Sequence, residues 1–327
     1  MFHKLSLVAL AALAASSPVA AQTRTTTLEA VSGIPSVDTK TQTEEVRFKS
    51  DASDRMTVPV TLGGHGPYRF LVDTGADRTA ISRELASGLK LVAGEEAALH
   101  SISGVSTITT ATVPQLQLTR REIRNIDAPL LASQDMGADG ILGTDSLRFQ
   151  RVMFDFQAQT LSVVPSAAPD FKAEPGTIVV EGVRKNGRLV VTEATANGHP
   201  LTIVVDTGSQ VSVGNEALRK VLLGAKALSG SEEVVLESVT GDKILGNYMQ
   251  VKDLEIGGVT LKDLAIVFAD AHTFKQLGFD KKPALLLGMN AMRAFKKVSI
   301  DFASRKLRVV VPEHSSLEDL RLASAKL

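Results

Sequence analysis

The tripeptide Asp-Thr-Gly occurs twice in this chain, each time at the end of an apolar run. The copies are Phe70-Leu71-Val72-Asp73-Thr74-Gly75-Ala76 and Ile203-Val204-Val205-Asp206-Thr207-Gly208-Ser209. One copy would constrain little, because three common residues recur by chance. Two copies in matching context predict two similar lobes, each offering one carboxylate to a shared cleft.

The repeat extends well past the tripeptide. Pro67 and Pro200 each stand six residues before the Asp, next to the turns Gly63-Gly64-His65-Gly66 and Asn197-Gly198-His199. Arg55 and Arg188 each stand eighteen residues before it and open strand-like stretches at 56–62 and 189–195. An apolar-apolar-Gly signature follows each motif, as Ile141-Leu142-Gly143 and Leu286-Leu287-Gly288. Phe154-Asp155-Phe156 is then matched by Ile300-Asp301-Phe302, and 161–165 by 307–312. Landmarks in one order at similar spacing mark an internal duplication. Between them, short β-rich runs are broken by Gly, Pro and Asn turns, as at 234–236, 251–256 and 259–268. Helical patches are few and short, at 82–89, 144–149, 216–223 and 290–295. The expected fold class is mostly β, with two similar β-rich lobes around a shared cleft.

Residues 1–21 read as a secretory signal. A basic start at His3-Lys4 precedes an apolar core at 5–15, and Val19-Ala20-Ala21 offers small residues for cleavage before Gln22. The mature chain is therefore expected outside the cytoplasm, periplasmic or secreted. No later apolar run reaches membrane-spanning length, so stable membrane insertion is not expected. Residues 22–45 read as a flexible leader, a pro-segment or an extra strand, 46–165 as lobe one, 166–176 as a linker and 177–312 as lobe two. The tail, 313–327, reads as a short helix capped by Ser315 or Ser316.

Composition removes several function classes. Lys and Arg total 36 and balance 36 acids, and no basic stripe is present, which argues against nucleic-acid binding. The chain has no Cys, so disulfides, thiolate metal sites and cysteine nucleophiles are excluded. Its six His show no metal-ligand spacing. Neither a metal nor another cofactor is called for.

The two motifs, the later apolar-apolar-Gly strands and the duplication resemble aspartic proteases of the pepsin and retropepsin group, over about 46–312. The first motif is similar to the retropepsin form and the second to the pepsin form, so the chain looks like a bacterial single-chain, retropepsin-like protease. The resemblance implies a bilobal acid-protease fold and an aspartic endopeptidase whose Asp73/Asp206 dyad activates a water. Two carboxyls within hydrogen-bond reach cannot both ionise cheaply. One holds a proton while the other acts as general base. Thr74 and Thr207 are implied to cross-link the two motif loops. Gly75 and Gly208 allow a tight turn that brings backbone N–H groups to the carboxylates. Ser209 can donate to the carboxylate of its own loop and Ala76 cannot, so Asp206 is expected to be the ionised base and Asp73 the protonated acid.

A cover for the cleft is expected at Ser101-Ile102-Ser103-Gly104-Val105, with Ile102 and Val105 making apolar contacts. Its counterpart is Ser238-Val239-Thr240-Gly241-Asp242. Neither turn carries the tyrosine of pepsin-like flaps. Whether one or both close over substrate is open at this stage. Asp77 reads either as the partner of an Arg near the cleft or as part of a surface ion pair or helix cap. Peptides or unfolded proteins are the expected partners, and no dimer is required to build the dyad. The alternative is a catalytically silent, protease-like binding or inhibitor protein of the cell envelope. The intact motifs argue against it.

Overall fold

The computed structural model describes residues 56–118, 121–167, 174–224 and 232–312, with short strands at Ala21–Gln22, Thr27–Glu29, Ser36–Val37, Glu44–Arg47, Lys49–Ser50 and Leu320–Arg321. The signal-like residues 1–20 lie outside the described residues. Three sheets account for the strands, one in each lobe and one shared between them.

The two lobes repeat one four-strand arrangement. In lobe one, His65–Val72 runs parallel to Gly140–Leu142. That strand is antiparallel to Ala80–Ser82, which runs parallel to Arg121–Leu131. In lobe two the same pattern joins His199–Val205, Ala284–Leu287, Ser212–Gly214 and Val259–Phe268. Each lobe's sheet also closes on itself: Val105–Leu118 pairs with Met56–Leu62, and Lys243–Ile256 with both Arg188–Ala196 and Val259–Phe268. Closing a sheet removes unpaired edges and encloses the side chains that alternate inward along each strand.

Local chemistry sets the element ends. Ser82 caps the helix Arg83–Gly88 by accepting from Leu85 N–H at 3.0 Å. Asn215 caps Glu216–Leu223 by accepting from Leu218 N–H at 2.8 Å. Asn186-Gly187 and Asn197-Gly198 have positive φ at both residues, which suits the two-residue hairpin turns they form. The two helices beside the apolar-apolar-Gly strands are single turns, Thr144–Leu147 and Met289–Met292.

The third sheet was not anticipated from the sequence. The paired landmarks around Asp155 and Asp301 are partners, not merely equivalents: Gln150–Asp155 pairs antiparallel with Lys297–Asp301. Its register sets Met153 opposite Ser299, the residues two before each Asp, so the pairing is symmetric about a local two-fold axis between the lobes. Thr160–Pro165 and Lys306–Val310 extend the sheet on either side. Asp155 and Asp301 each accept backbone N–H bonds in the turn that follows, from Gln157 and Ala158 and from Ala303 and Ser304. One buried apolar cluster runs from Val58 and Phe70 in lobe one through Val152, Phe154 and Ile300 to Val205 and Ile266 in lobe two.

Of the readings for 22–45, the described strands agree with the extra strand, as Ser36–Val37 against Ile123–Arg124 and Glu44–Arg47 against Thr160–Val163. The tail needs correction. Within the tail read as a helix, the described residues Leu320–Arg321 form a strand against Leu261–Lys262.

Because the shared sheet and one core join the lobes, they should unfold together. Phe154 is fully buried in that core, and Phe154→Ala should cost about 3–5 kcal/mol. Calorimetry should show one transition moved to lower temperature, not a split into two.

Candidate active site

Each Asp-Thr-Gly motif sits where its strand leaves the sheet, held from below by the apolar-apolar-Gly strand. Asp73 N–H donates to the Leu142 carbonyl and Asp206 N–H to the Leu287 carbonyl, both at 3.0 Å. Gly143 and Gly288 are required there because a Cβ would collide with the backbone of Arg78 and of Val211. A further brace lies beneath each loop. The buried Asp145 carboxylate accepts from Thr79 N–H and Oγ1, at 2.9 and 2.7 Å. In lobe two, Asn290 Oδ1 accepts from Ser212 N–H and Oγ, both at 2.9 Å. These braces escaped the sequence reading. Their signal was a hydroxyl residue six positions after each Asp and an Asp or Asn two after each later Gly.

The two loops are tied to one another by four reciprocal hydrogen bonds. Thr74 N–H donates to Thr207 Oγ1 and Thr207 N–H to Thr74 Oγ1, each at 3.0 Å. Thr74 Oγ1 donates to the Val205 carbonyl at 2.9 Å, and Thr207 Oγ1 to the Val72 carbonyl at 2.7 Å. Each hydroxyl thus uses its donor and one acceptor across the lobe boundary.

The motif glycines bring the carboxylates to that boundary. A Cβ on Gly75 would lie 2.5 Å from Asp206 Oδ1, and one on Gly208 would overlap the Asp73 carboxyl. Neither glycine has positive φ. Glycine is needed for close approach across the lobes, not for an unusual turn. Both Asp residues are fully buried. Asp73 Oδ1 accepts from Gly75 N–H at 2.8 Å and Ala76 N–H at 3.0 Å. Asp206 Oδ1 accepts from Gly208 N–H at 3.0 Å. Burial holds the Asp73 carboxyl well above the ordinary carboxylate range, and the charge of Asp206 pushes it further up. The two backbone N–H groups and the Arg188 charge oppose this without cancelling it. Asp73 Oδ2 is buried with no hydrogen-bond partner among the described residues.

The argument from Ser209 needs correction. Its Oγ donates to the Val211 carbonyl at 2.5 Å, within its own turn. The elevated carboxyl of Asp73 therefore has burial and its neighbour's charge as its causes.

Arg188 is the residue whose role the sequence reading missed, although its equivalence to Arg55 was visible. The Asn186-Gly187 hairpin carries it to lobe one. There its Nε donates to the Gly75 carbonyl at 2.7 Å and a terminal nitrogen lies 2.9 Å from Asp77 Oδ1. Of the readings for Asp77, the pairing with an Arg beside the motif loop is the one found. Gln210 takes the matching place in lobe two.

The two turns expected to cover the cleft are reciprocal plugs. Ile102, 1% exposed, packs among Val190, Val204, Val211 and Val213 of lobe two. Val239, 1% exposed, packs among Leu71, Ala76 and Met136 of lobe one. Ser103 Oγ donates to Asp242 Oδ2 at 3.2 Å, linking the turns directly. His272 N–H donates to the Ile102 carbonyl at 2.8 Å, and His100 Nδ1 lies 2.8 Å from His272 Nε2. Both turns therefore engage the opposite lobe. Gly104 and Gly241 have positive φ. Thr240 Oγ1 donates to Asp242 Oδ2 at 2.7 Å. Val105 departs from expectation: it is 54% exposed, because the turn spends its apolar contact on Ile102 alone.

Two stability measurements follow. Thr74→Val keeps shape but strands the buried Val205 carbonyl and Thr207 N–H, at about 1–3 kcal/mol for each unsatisfied group. Thr207→Val should cost as much. Denaturant titration of the double variant should give less than the sum, because both changes break one network. The second concerns pH. A carboxyl whose folded value is raised contributes stability below its unfolded value and loses it as pH rises through the folded value. Asp73→Asn should thus be more stable than the wild type at neutral pH, with a flatter profile from mildly acidic to neutral conditions. Identical profiles would contradict the raised carboxyl.

Comparison with known protein families locates two matches, one on each lobe. Residues 58–149 match the family of aspartyl proteases of gag polyproteins, and 192–291 match a second aspartyl protease family. No curated protein matches the chain. With one aspartyl protease match over each motif loop, on a fold of two closed β lobes, the chain belongs to the retropepsin-like aspartic proteases.

Proposed function

We propose that this chain is an aspartic endopeptidase in which Asp73 and Asp206 form the catalytic dyad. The reading is carried by one observation: two fully buried carboxyls, one from each lobe, each packed against the motif glycine of the other. A water between them has a general base on one side and an acid on the other. The ionised Asp206 takes a proton from the water as its oxygen bonds to the peptide carbonyl carbon. The protonated Asp73 gives its proton to the carbonyl oxygen. The tetrahedral diol then collapses. The C–N bond breaks and its electrons go to nitrogen, which takes the proton held by Asp206, while a diol hydroxyl returns a proton to Asp73 as the carbonyl re-forms. The backbone N–H groups of Gly75, Ala76 and Gly208 fix the carboxylates for this exchange without moving during it.

The turns around Ile102 and Val239 serve as two flaps in this reading. With both tips seated the dyad is sealed, so an extended peptide is admitted when they withdraw and is enclosed when they return. Excluding water strengthens every electrostatic interaction inside the site. The expected setting is extracytoplasmic, on the strength of the signal-like residues 1–21.

Cleavage of an unfolded protein mixture across acidic to neutral pH tests the reading. Asp73→Asn and Asp206→Asn should each lower the rate by about 10²–10⁴-fold. The double variant should be no worse than either single change, because the residues act as a unit. Undiminished cleavage in either single variant would refute the dyad.

A further inference from the structure

The shared sheet has a second face that the dyad does not use. Along its strands Val152, Val298, Ile300, Leu307 and Val309 turn into the core, so the residues alternating with them turn to the other side. The register sets these in two neighbouring rows. Arg151 stands opposite Asp301, which stands opposite Lys306, and Met153 stands opposite Ser299, which stands opposite Arg308. Arg151, Ser299, Asp301, Lys306 and Arg308 line a hollow of about 160 Å³, partly open to solvent, with Ser304 from the turn after Asp301. Arg151 belongs to lobe one and the others to lobe two.

Two features of this hollow ask for a ligand. The first is charge: three cations in the lining face one carboxylate, a surplus of two positive charges. That carboxylate is committed elsewhere. Asp301 Oδ1 accepts from Ser166 Oγ and from the N–H groups of Ala303 and Ser304, and Oδ2 lies 3.9 Å from Arg151. Glu181 lies 3.8 Å from Lys306 with its side chain 80% exposed, where water screens it. The second feature is Ser299. It is 2% exposed, yet its Oγ has no hydrogen-bond partner among the described residues. A buried hydroxyl left unpaired costs stability. One water would satisfy Ser299 but not the charge.

The two-fold mate of the hollow shows what the fold itself requires. Counted from Asp155 and Asp301, Arg151 answers to Lys297, Ser299 to Met153, Ser304 to Ala158, Lys306 to Thr160 and Arg308 to Ser162. On that side the one cation, Lys297, is met by Asp155 at 3.3 Å and by Glu174. The same strands and the same turn therefore form without extra cations and without the two hydroxyls.

We propose that this hollow is an oxyanion site that takes a phosphate group, as inorganic phosphate or as a phosphate monoester. A tetrahedral dianion matches the surplus charge. Its oxygens point in several directions, toward the guanidinium forks of Arg151 and Arg308, the Lys306 ammonium and the serine hydroxyls. One oxygen accepts the Ser299 proton. The bound group joins a strand of lobe one to two strands of lobe two, so it stabilises the lobe junction from the face opposite the core. The site is independent of the endopeptidase reading.

Titration of the full chain with sodium phosphate at constant ionic strength tests the site, read by thermal unfolding and by backbone amide shifts in NMR spectra. Saturable shifts should centre on Ser299, Ser304 and Arg308, and the melting temperature should rise, since the anion binds the folded state. Sodium chloride at the same ionic strength should produce neither. Arg308→Gln should weaken binding about tenfold, the worth of one charge-assisted hydrogen bond. Ser299→Ala should weaken it about fivefold yet melt no lower than the wild type in phosphate-free buffer, because it removes an unpaired buried hydroxyl. Ser162→Ala, at the two-fold mate of Arg308, should leave binding unchanged. Flotation with phosphatidic acid vesicles, lost in Arg308→Gln, would assign the phosphate to a lipid headgroup. Saturable binding of inorganic phosphate without flotation would assign it to a soluble anion. Shifts that never saturate, or that persist unaltered in Arg308→Gln and Ser299→Ala, overturn the proposal. A loss of stability on Ser299→Ala in phosphate-free buffer overturns it as well.

Discussion

Two carboxyl groups buried against one another form the most demanding contact in this molecule. Each one alone would be costly to remove from water, and together they repel when both are charged. Local backbone N–H groups oppose that cost at Asp73 without cancelling it. The structure answers with rigidity at the boundary. Four reciprocal hydrogen bonds between Thr74 and Thr207 and the opposing loops set the spacing. The two glycines allow an approach that any side chain would block. Arg188 reaches from lobe two to hold the outer turn of lobe one's loop through Gly75 and Asp77.

The remaining architecture keeps that plane fixed. Sheets closed within each lobe, a shared sheet across the axis and a continuous apolar core give the boundary an interior like that of one domain. The chain has no Cys, so packing, hydrogen bonding and ion pairs such as Arg188–Asp77 carry this without disulfides. The two turn tips use the same principle in a weaker form. Ile102 and Val239 exchange places between cores, each one side chain on a turn. A seal of that kind closes well and can still be broken.

What the sequence disclosed was whatever repeats locally. The motifs, the helical patches at 82–89 and 216–223 and the strand bounds at Met56–Leu62 and Val259–Phe268 depend on neighbours in the chain. What it hid was pairing between distant segments. The landmarks at Asp155 and Asp301 were visible as a repeat, but no pattern says that repeated strands will bond to each other. Arg188 and Asp77 are more than a hundred positions apart, and only the folded hairpin joins them. Ser209 was misread because a hydroxyl has several acceptors within reach, and its own turn offered a nearer one.

The symmetric register about Met153 and Ser299 has one more consequence. A two-fold axis built from two identical chains forces every substitution to appear twice, once on each side of the cleft. Here both sides are encoded separately, and they have already drifted apart. Asp77 faces a counterpart in Gln210, Ala76 in Ser209, and the Asp145 brace in Asn290. The architecture is palindromic while its lettering is not. Each half of the groove can therefore be altered without altering the other.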